Sequence, residues 1–245
     1  MHHSSAHVLV TGGTSGIGNA IATAYAQDGA KVTITGTRQS PADYDLDLSA
    51  FSYLQLNVEE AQSIDAATAQ IDQCDILINN AATTLLSQGL DEWEPDNFAR
   101  AVNMHLVSAY RMSSNLRPLL AKSERQGGGV ITSIGSMSSL FGIESVPGYG
   151  AGKTGLLGIT RAMAVAWGRE NIRTNVLALG LIETPMTAMG LTMPEIVDPH
   201  VARTPLGRVG QTSDCTGPAL FLSSPAAAFI TGQVLVVDGG FSIQG

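Results

Sequence analysis

Apolar and polar positions along the chain follow two alternating periods. Short apolar runs that end in glycine or small polar residues are each followed by a stretch with apolar residues every three or four positions. His7 to Val10 is the first run. Ile17, Ala20, Ile21, Ala24 and Tyr25 then recur at helical spacing, Gly29 closes the helix, and Lys31 to Thr35 alternates like a second strand. Strand, helix and strand within about thirty residues make a βαβ unit. FSYLQLNV (51–58), DILINNAA (Asp75 to Ala82), GVITSIGS ending on Ser136, IRTNVLALG (172–180) and QVLVVDGG (233–240) read as further strands. Helices are predicted over Glu59 to Gln73, from Pro95 through Phe98, Val102, Leu106, Tyr110 and Leu116, from Tyr149 onward, and over Asp214 to Leu222. The apolar, Pro-containing residues 181–208 predict a loop or a pair of short helices, a candidate lid over substrate.

Composition narrows the class. The 245 residues carry no composition break, so a single α/β domain over 1–245 is expected. A net charge of −8 with few basic clusters argues against a nucleic-acid surface. Cys74 and Cys215 form no CxxC pair and read as reduced thiols of a cytoplasmic protein, with no metal site expected. No run approaches membrane-spanning length, and MHHSSAHVLV does not read as a signal peptide, so no membrane partner is expected.

The first βαβ unit carries candidate chemistry. Between its strand and helix lies TGGTSGIG, Thr11 to Gly18. Gly12, Gly16 and Gly18 allow a sharp turn and a close backbone approach to a pyrophosphate at the positive end of the following helix. The spacing is G-x-x-x-G-x-G. Where the second strand ends, an acidic residue would take both ribose hydroxyls of NAD; Gly36, Thr37 and Arg38 stand there instead. Arginine suits a 2′-phosphate, which favours NADP with NAD still possible; the alternative is that Arg38 is a solvated loop residue.

Tyr149 and Lys153, four apart on one helix, stand about 400° round the axis on one face. An ammonium ~4 Å from a phenol favours the phenolate by about 4 kcal/mol at an effective dielectric of ~20, opposed by burial. Such a tyrosine would move protons near neutral pH. Small residues at 148, 150, 151, 152, 155, 158, 162, 164 and 166 let another element approach this helix, a subunit interface among the options. Asn103 is expected inside the apolar helix from Pro95, where it either caps a neighbouring loop or holds a water near an active site.

TGGTSGIG, NNAA, Ser136 followed by Tyr149 and Lys153, and TGQVLVVDGG, in this order and spacing, resemble the short-chain dehydrogenase/reductase family over nearly the whole chain. The resemblance implies a doubly wound Rossmann sheet of about seven parallel strands and hydride transfer between alcohol and carbonyl with a nicotinamide dinucleotide. It implies a catalytic set of Asn103, Ser136, Tyr149 and Lys153. Ser136 would bind the substrate oxygen, Tyr149 would exchange its proton, Lys153 would lower the phenol's pKa and bind the nicotinamide ribose, and Asn103 would hold a water. For the cofactor it implies the glycine loop with Thr14, Ser15 and Ile17, Asn57 and Val58 beside the adenine, Asn79 and Ala81 on the adenosine side, and Ile182 and Thr184 at the nicotinamide amide. The family's usual Pro-Gly after the sixth strand is Leu179-Gly180 here. Apolar and small residues after Ser136 favour a neutral ketone or secondary alcohol. A 3-oxoacyl-thioester reductase is the alternative, a non-catalytic dinucleotide-binding regulator is a weaker one, and a homotetramer or homodimer is expected.

Overall fold

The computed structural model describes residues 3–244. Seven strands, β1 (His7–Val10), β2 (Lys31–Gly36), β3 (Ser52–Gln55), β4 (Ile76–Asn79), β5 (Gly129–Ser136), β6 (Ile172–Leu179) and β7 (Val234–Val237), form one sheet in the order β3-β2-β1-β4-β5-β6-β7. Every pair is parallel. The order reverses between β1 and β4, the switch point where such sheets open a crevice at the carboxyl ends of their strands.

Helices cover both faces. They are α1 (Gly16–Gln27), α2 (Ala61–Thr68), α3 (Pro95–Val102), α4 (Ser108–Leu120), α5 (Pro147–Trp167), α6 (Ala188–Leu191), α7 (Pro194–Arg203) and α8 (Thr212–Ser223). One core packs α1 and α8 on the sheet through Ile21, Tyr25, Cys215 and Leu222; the other packs α2, α4 and α5 through Ile64, Met112, Leu116 and Met163. Both cysteines are free and buried. The central strands β4 and β5 read as continuous apolar runs because helices cover both their faces. β6 runs through Leu179, which pairs with Ser136 and Val237 and is buried in the first core; a proline there would have removed a ladder donor.

Two expectations are corrected. α5 begins at Pro147, two residues before Tyr149. Its small residues serve its own chain first: a Cβ on Gly152 would lie 2.8 Å from the Cβ of His105, so this glycine lets the α3–α4 rod pack directly on α5. The second correction concerns that rod. The five residues Asn103–Val107 between α3 and α4 form a π-helical turn, and the rod buries Ala101, Met104, His105, Ser108, Ala109 and Met112. Phe98 and Tyr110, expected on the buried stripe, are exposed instead. No helix among the described residues is long and apolar enough to cross a membrane.

Candidate active site

The crevice above β1, β4 and β5 is an open cavity of about 370 Å³. Gly12 has φ +65°, a left-handed conformation suited to glycine. A Cβ on Gly18 would sit 2.3 Å from the Gly12 carbonyl oxygen and 2.4 Å from Asn80 Nδ2, so only hydrogen fits there. Asn80 holds the loop shut against β4, donating through Nδ2 to the carbonyls of Thr11 (2.9 Å) and Gly12 (3.1 Å). Ser15 is the N-cap of α1 with extended backbone, and its hydroxyl makes no capping bond. The first-turn N–H groups of α1 are therefore not occupied by that side chain, and they offer positive potential to an anion. This cradle fits a pyrophosphate.

Gly12, Thr14, Ser15, Gly16, Ile17, Gly18, Thr37, Asn57, Val58, Ala81, Ser136, Tyr149, Lys153, Ile182 and Thr184 all line the cavity; Arg38, Asn79 and Asn103 do not. Arg38 stays on the rim, exposed, with its guanidinium 4.8 Å above the ring of Tyr44. The Tyr44 hydroxyl accepts the Arg38 N–H at 3.0 Å and lines the cavity, a residue that sequence reasoning passed over because it lies in an irregular acidic stretch. Asn57 lines the cavity, but its amide is engaged locally, donating to Glu60 at 2.7 Å and accepting the Glu59 N–H at 3.1 Å. Asn79 lies beneath the floor, donating to Ser113 Oγ at 3.0 Å and so tying β4 to α4. Strand alternation turns its side chain away from the crevice that Asn80 faces.

Ser136 ends β5, and it stands near enough to the Tyr149 phenol to lower its pKa. Lys153, 3% exposed, donates to the carbonyl of Ile134 at 2.7 Å, and its Nζ lies 5.6 Å from the centroid of the Tyr149 ring. Burial lowers Lys153 to about 8. The expected depression of the Tyr149 pKa is not found: burial raises it, and Glu92 adds to the rise, against a lowering by Ser136. Desolvation is the largest influence on Tyr149, while the Lys153 ammonium donates to the Ile134 carbonyl. At neutral pH Tyr149 therefore carries its proton. Glu92, 1% exposed, accepts the Tyr149 backbone N–H at 2.7 Å, a contact across 57 residues that no local pattern signals.

Asn103 is the remaining correction. It is exposed rather than buried, and it does not line the cavity. His105, two residues on, takes the inner face: it is 3% exposed and packs edge-on against Tyr149, ring centroids 4.8 Å apart and planes at 78°. A signal existed in the buried spacing Ala101, Met104, His105, Ser108, Met112, which outlines the inner face of the rod.

Comparison with known proteins extends this picture. The family model described as enoyl-(acyl carrier protein) reductase matches residues 12–242. The chain is 34% identical over 243 residues to a 3alpha-hydroxysteroid dehydrogenase of Mediterraneibacter gnavus, covering 94% of each chain. It is 33% identical over 249 residues to a 3-oxoacyl-[acyl-carrier-protein] reductase of Chlamydia muridarum, covering 96% of each. Among solved structures it is similar to a gluconate 5-dehydrogenase from Burkholderia cenocepacia in complex with NADP and tartrate, with a TM-score of 0.85, 27% identity and coverage of 98% of this chain and 96% of the other.

Proposed function

The chain belongs to the short-chain dehydrogenase/reductase family, an NAD(P)-dependent oxidoreductase acting between secondary alcohols and ketones, and from that premise we propose that it works as an NADPH-dependent reductase of a neutral ketone. The observation that carries the reading is geometric: Ser136, Tyr149 and Lys153 line one crevice with the Lys153 Nζ 5.6 Å from the centroid of the Tyr149 ring, and burial favours the neutral phenol that ketone reduction needs as its proton donor. The dinucleotide supplies the hydride. Ser136 donates to the carbonyl oxygen, Tyr149 delivers its proton to the alkoxide as charge develops there, and the Lys153 ammonium stabilises the phenolate left behind. Thr37, Arg38 and Tyr44 receive the 2′-phosphate; Ile182 and Thr184 receive the nicotinamide amide.

Two finer readings accompany this. The helices α6 and α7 act as the lid over substrate, with Met186 at the cavity wall. The protein assembles as a homotetramer or homodimer through the exposed apolar residues Phe98, Val107 and Tyr110 of the α3–α4 rod and Val165 of α5. Sedimentation as a monomer at micromolar concentration would overturn it. The two free buried thiols suit the cytoplasm.

The test titrates the protein with NADPH and NADH in parallel by nicotinamide fluorescence and then offers a ketone panel. Tighter NADPH binding with turnover of a ketone supports the reading; tighter NADH binding with alcohol oxidation only refutes it. Reduction of a 3-oxoacyl thioester is the second reading, favoured by the Chlamydia relative. Against an acidic carrier stands the local charge: Glu170 pairs with Arg117, and Arg173 is buried on the carbonyls of Gly127 and Leu222. A preference for acetoacetyl thioester over simple ketones decides for that reading.

A further inference from the structure

At the adenosine end of the crevice one side-chain oxygen sits against the end of the second strand. It is the hydroxyl of Tyr44, the one residue of the stretch 39–50 that lines the cavity. Gly36, the last residue of β2, makes room for it: a Cβ there would lie 2.3 Å from that oxygen and 2.7 Å from Cγ2 of Thr14. The Arg38 backbone N–H donates to it at 3.0 Å. Burial pushes the phenol up, and Tyr53, the Arg38 N–H, Thr37 and Thr14 together hold it below its ordinary value. The Tyr53 hydroxyl lies 3.3 Å away and donates to the Arg38 carbonyl at 2.5 Å, so Tyr53 accepts the proton of Tyr44. The Tyr44 oxygen is thereby an acceptor with the Arg38 N–H and the Thr37 and Thr14 side chains around it. Donors gathered round one oxygen suit a phosphate oxygen, and the end of the second strand is where an adenosine ribose presents its 2′ group. The neighbouring carboxylates close their own turns: Asp43 accepts the Ser40 N–H at 2.9 Å and Asp47 the Ser49 N–H at 3.0 Å.

Resting on the reading of Thr37, Arg38 and Tyr44 as the 2′-phosphate site, we propose that Tyr44 sets the selectivity between cofactors: its hydroxyl holds the place of a phosphate oxygen and yields it to NADPH, whereas NADH leaves it in position. The two oxygens exclude each other, because the space over Gly36 and beside the Arg38 N–H admits one. The ring remains part of the site. The Arg38 guanidinium lies 4.8 Å from its centroid, so a small pivot of the phenol frees the backbone donor and keeps the cation at hand. Tyr44 stands between the exposed Asp43 and Asp45 in an irregular stretch, with no ladder or helix to hold it against that pivot. NADPH must break a hydrogen bond that NADH keeps. Its affinity is therefore reduced by the fraction of molecules in which the hydroxyl is turned out.

Tyr44→Phe keeps a ring beneath Arg38 and removes only the competing oxygen. Kd values for NADPH and NADH, read by nicotinamide fluorescence on the native protein and the variant, test the proposal. The expected result is NADPH bound roughly three- to tenfold more tightly, the worth of one net hydrogen bond, with no gain for NADH. An NADPH affinity that is unchanged or weaker overturns the proposal, and so does an equal gain for both cofactors. A crystal structure of the native protein with NADPH gives a second reading that needs no variant. A phosphate oxygen on the Arg38 N–H with the Tyr44 hydroxyl turned away supports the proposal; a Tyr44 hydroxyl still bonded to that N–H overturns it. The reading of the 2′-phosphate site fails separately, in an Arg38→Ala protein that binds NADPH as the native protein does, so the two failures are told apart.

Discussion

The carboxylate of Glu92 accepts the backbone N–H of Tyr149 at 2.7 Å, so a buried anion from the segment before α3 closes the first turn of the helix that carries the proton donor. Its other oxygen accepts the Leu85 N–H at 3.3 Å. Negative charge at a helix N-terminus is favourable, and the N-cap residue Val146 offers no side-chain acceptor of its own. Glu92→Ala is expected to cost about 1–3 kcal/mol and to lower kcat while NADPH affinity holds. Glu92→Gln keeps an acceptor and should recover most of both. Thermal unfolding and steady-state kinetics on the three proteins check this; equal kcat in all of them would separate Glu92 from the chemistry.

Tyr149→Phe removes the proton donor and leaves the cradle of Gly12 to Gly18 intact. Turnover is expected to fall by roughly 10²–10⁴-fold. NADPH binding, read by fluorescence, should stay within about twofold of wild type.

Burial holds Lys153 at about 8, below its ordinary 10.5. Between those values the unfolded chain binds a proton that the folded chain has released, so this group makes stability rise with pH across that window. Lys153→Met should remove the rise and stabilise the protein at pH 7 by up to about 3 kcal/mol, less the lost Ile134 bond, while abolishing turnover. Urea unfolding at pH 7 and pH 10 measures the difference; a less stable Lys153→Met would contradict it.

His105 behaves as the acid-side counterpart. Its protonation in the folded protein is pushed down to about 3 from 6.5, by burial first and the Lys153 cation second. The unfolded chain takes the proton first as pH falls, so stability is full above 6.5 and declines toward pH 3, by on the order of 4 kcal/mol from this group. In His105→Asn the pH dependence over that range should flatten by a comparable amount. Parallel slopes in the two proteins would assign the acid sensitivity to other groups, such as His3 and His200, which burial also lowers.

Arg38 rests on Tyr44 at the mouth of the crevice, and among the described residues it makes no ion pair. Arg38→Ala is expected to weaken NADPH binding by roughly ten- to a hundredfold and leave NADH within about twofold. Loss of both affinities equally would place Arg38 in structure rather than selectivity.

The misplacement of Asn103 shows where pattern reading ran out. The α3–α4 rod is apolar on two faces: Ala101, Met104 and Met112 look inward, while Phe98, Val107 and Tyr110 look out. Hydrophobic periodicity marks a face that avoids water without saying whether it meets the core or another subunit. The π turn adds a residue to the helical phase, which no composition rule forecasts.

What the sequence determined by itself is what depends on near neighbours. The strand and helix alternation, the glycine turn before α1, and Tyr149 and Lys153 on one face of α5 follow from periods of two and 3.6 and from the space a missing Cβ leaves. Tertiary structure alone decided which distant groups surround those residues: Glu92 under the Tyr149 amide, His105 against its ring, Asn79 below the floor rather than in the crevice. It also reversed the sign of the expected shift at Tyr149, because a pKa follows from burial and from through-space charges, and four residues of spacing carry neither.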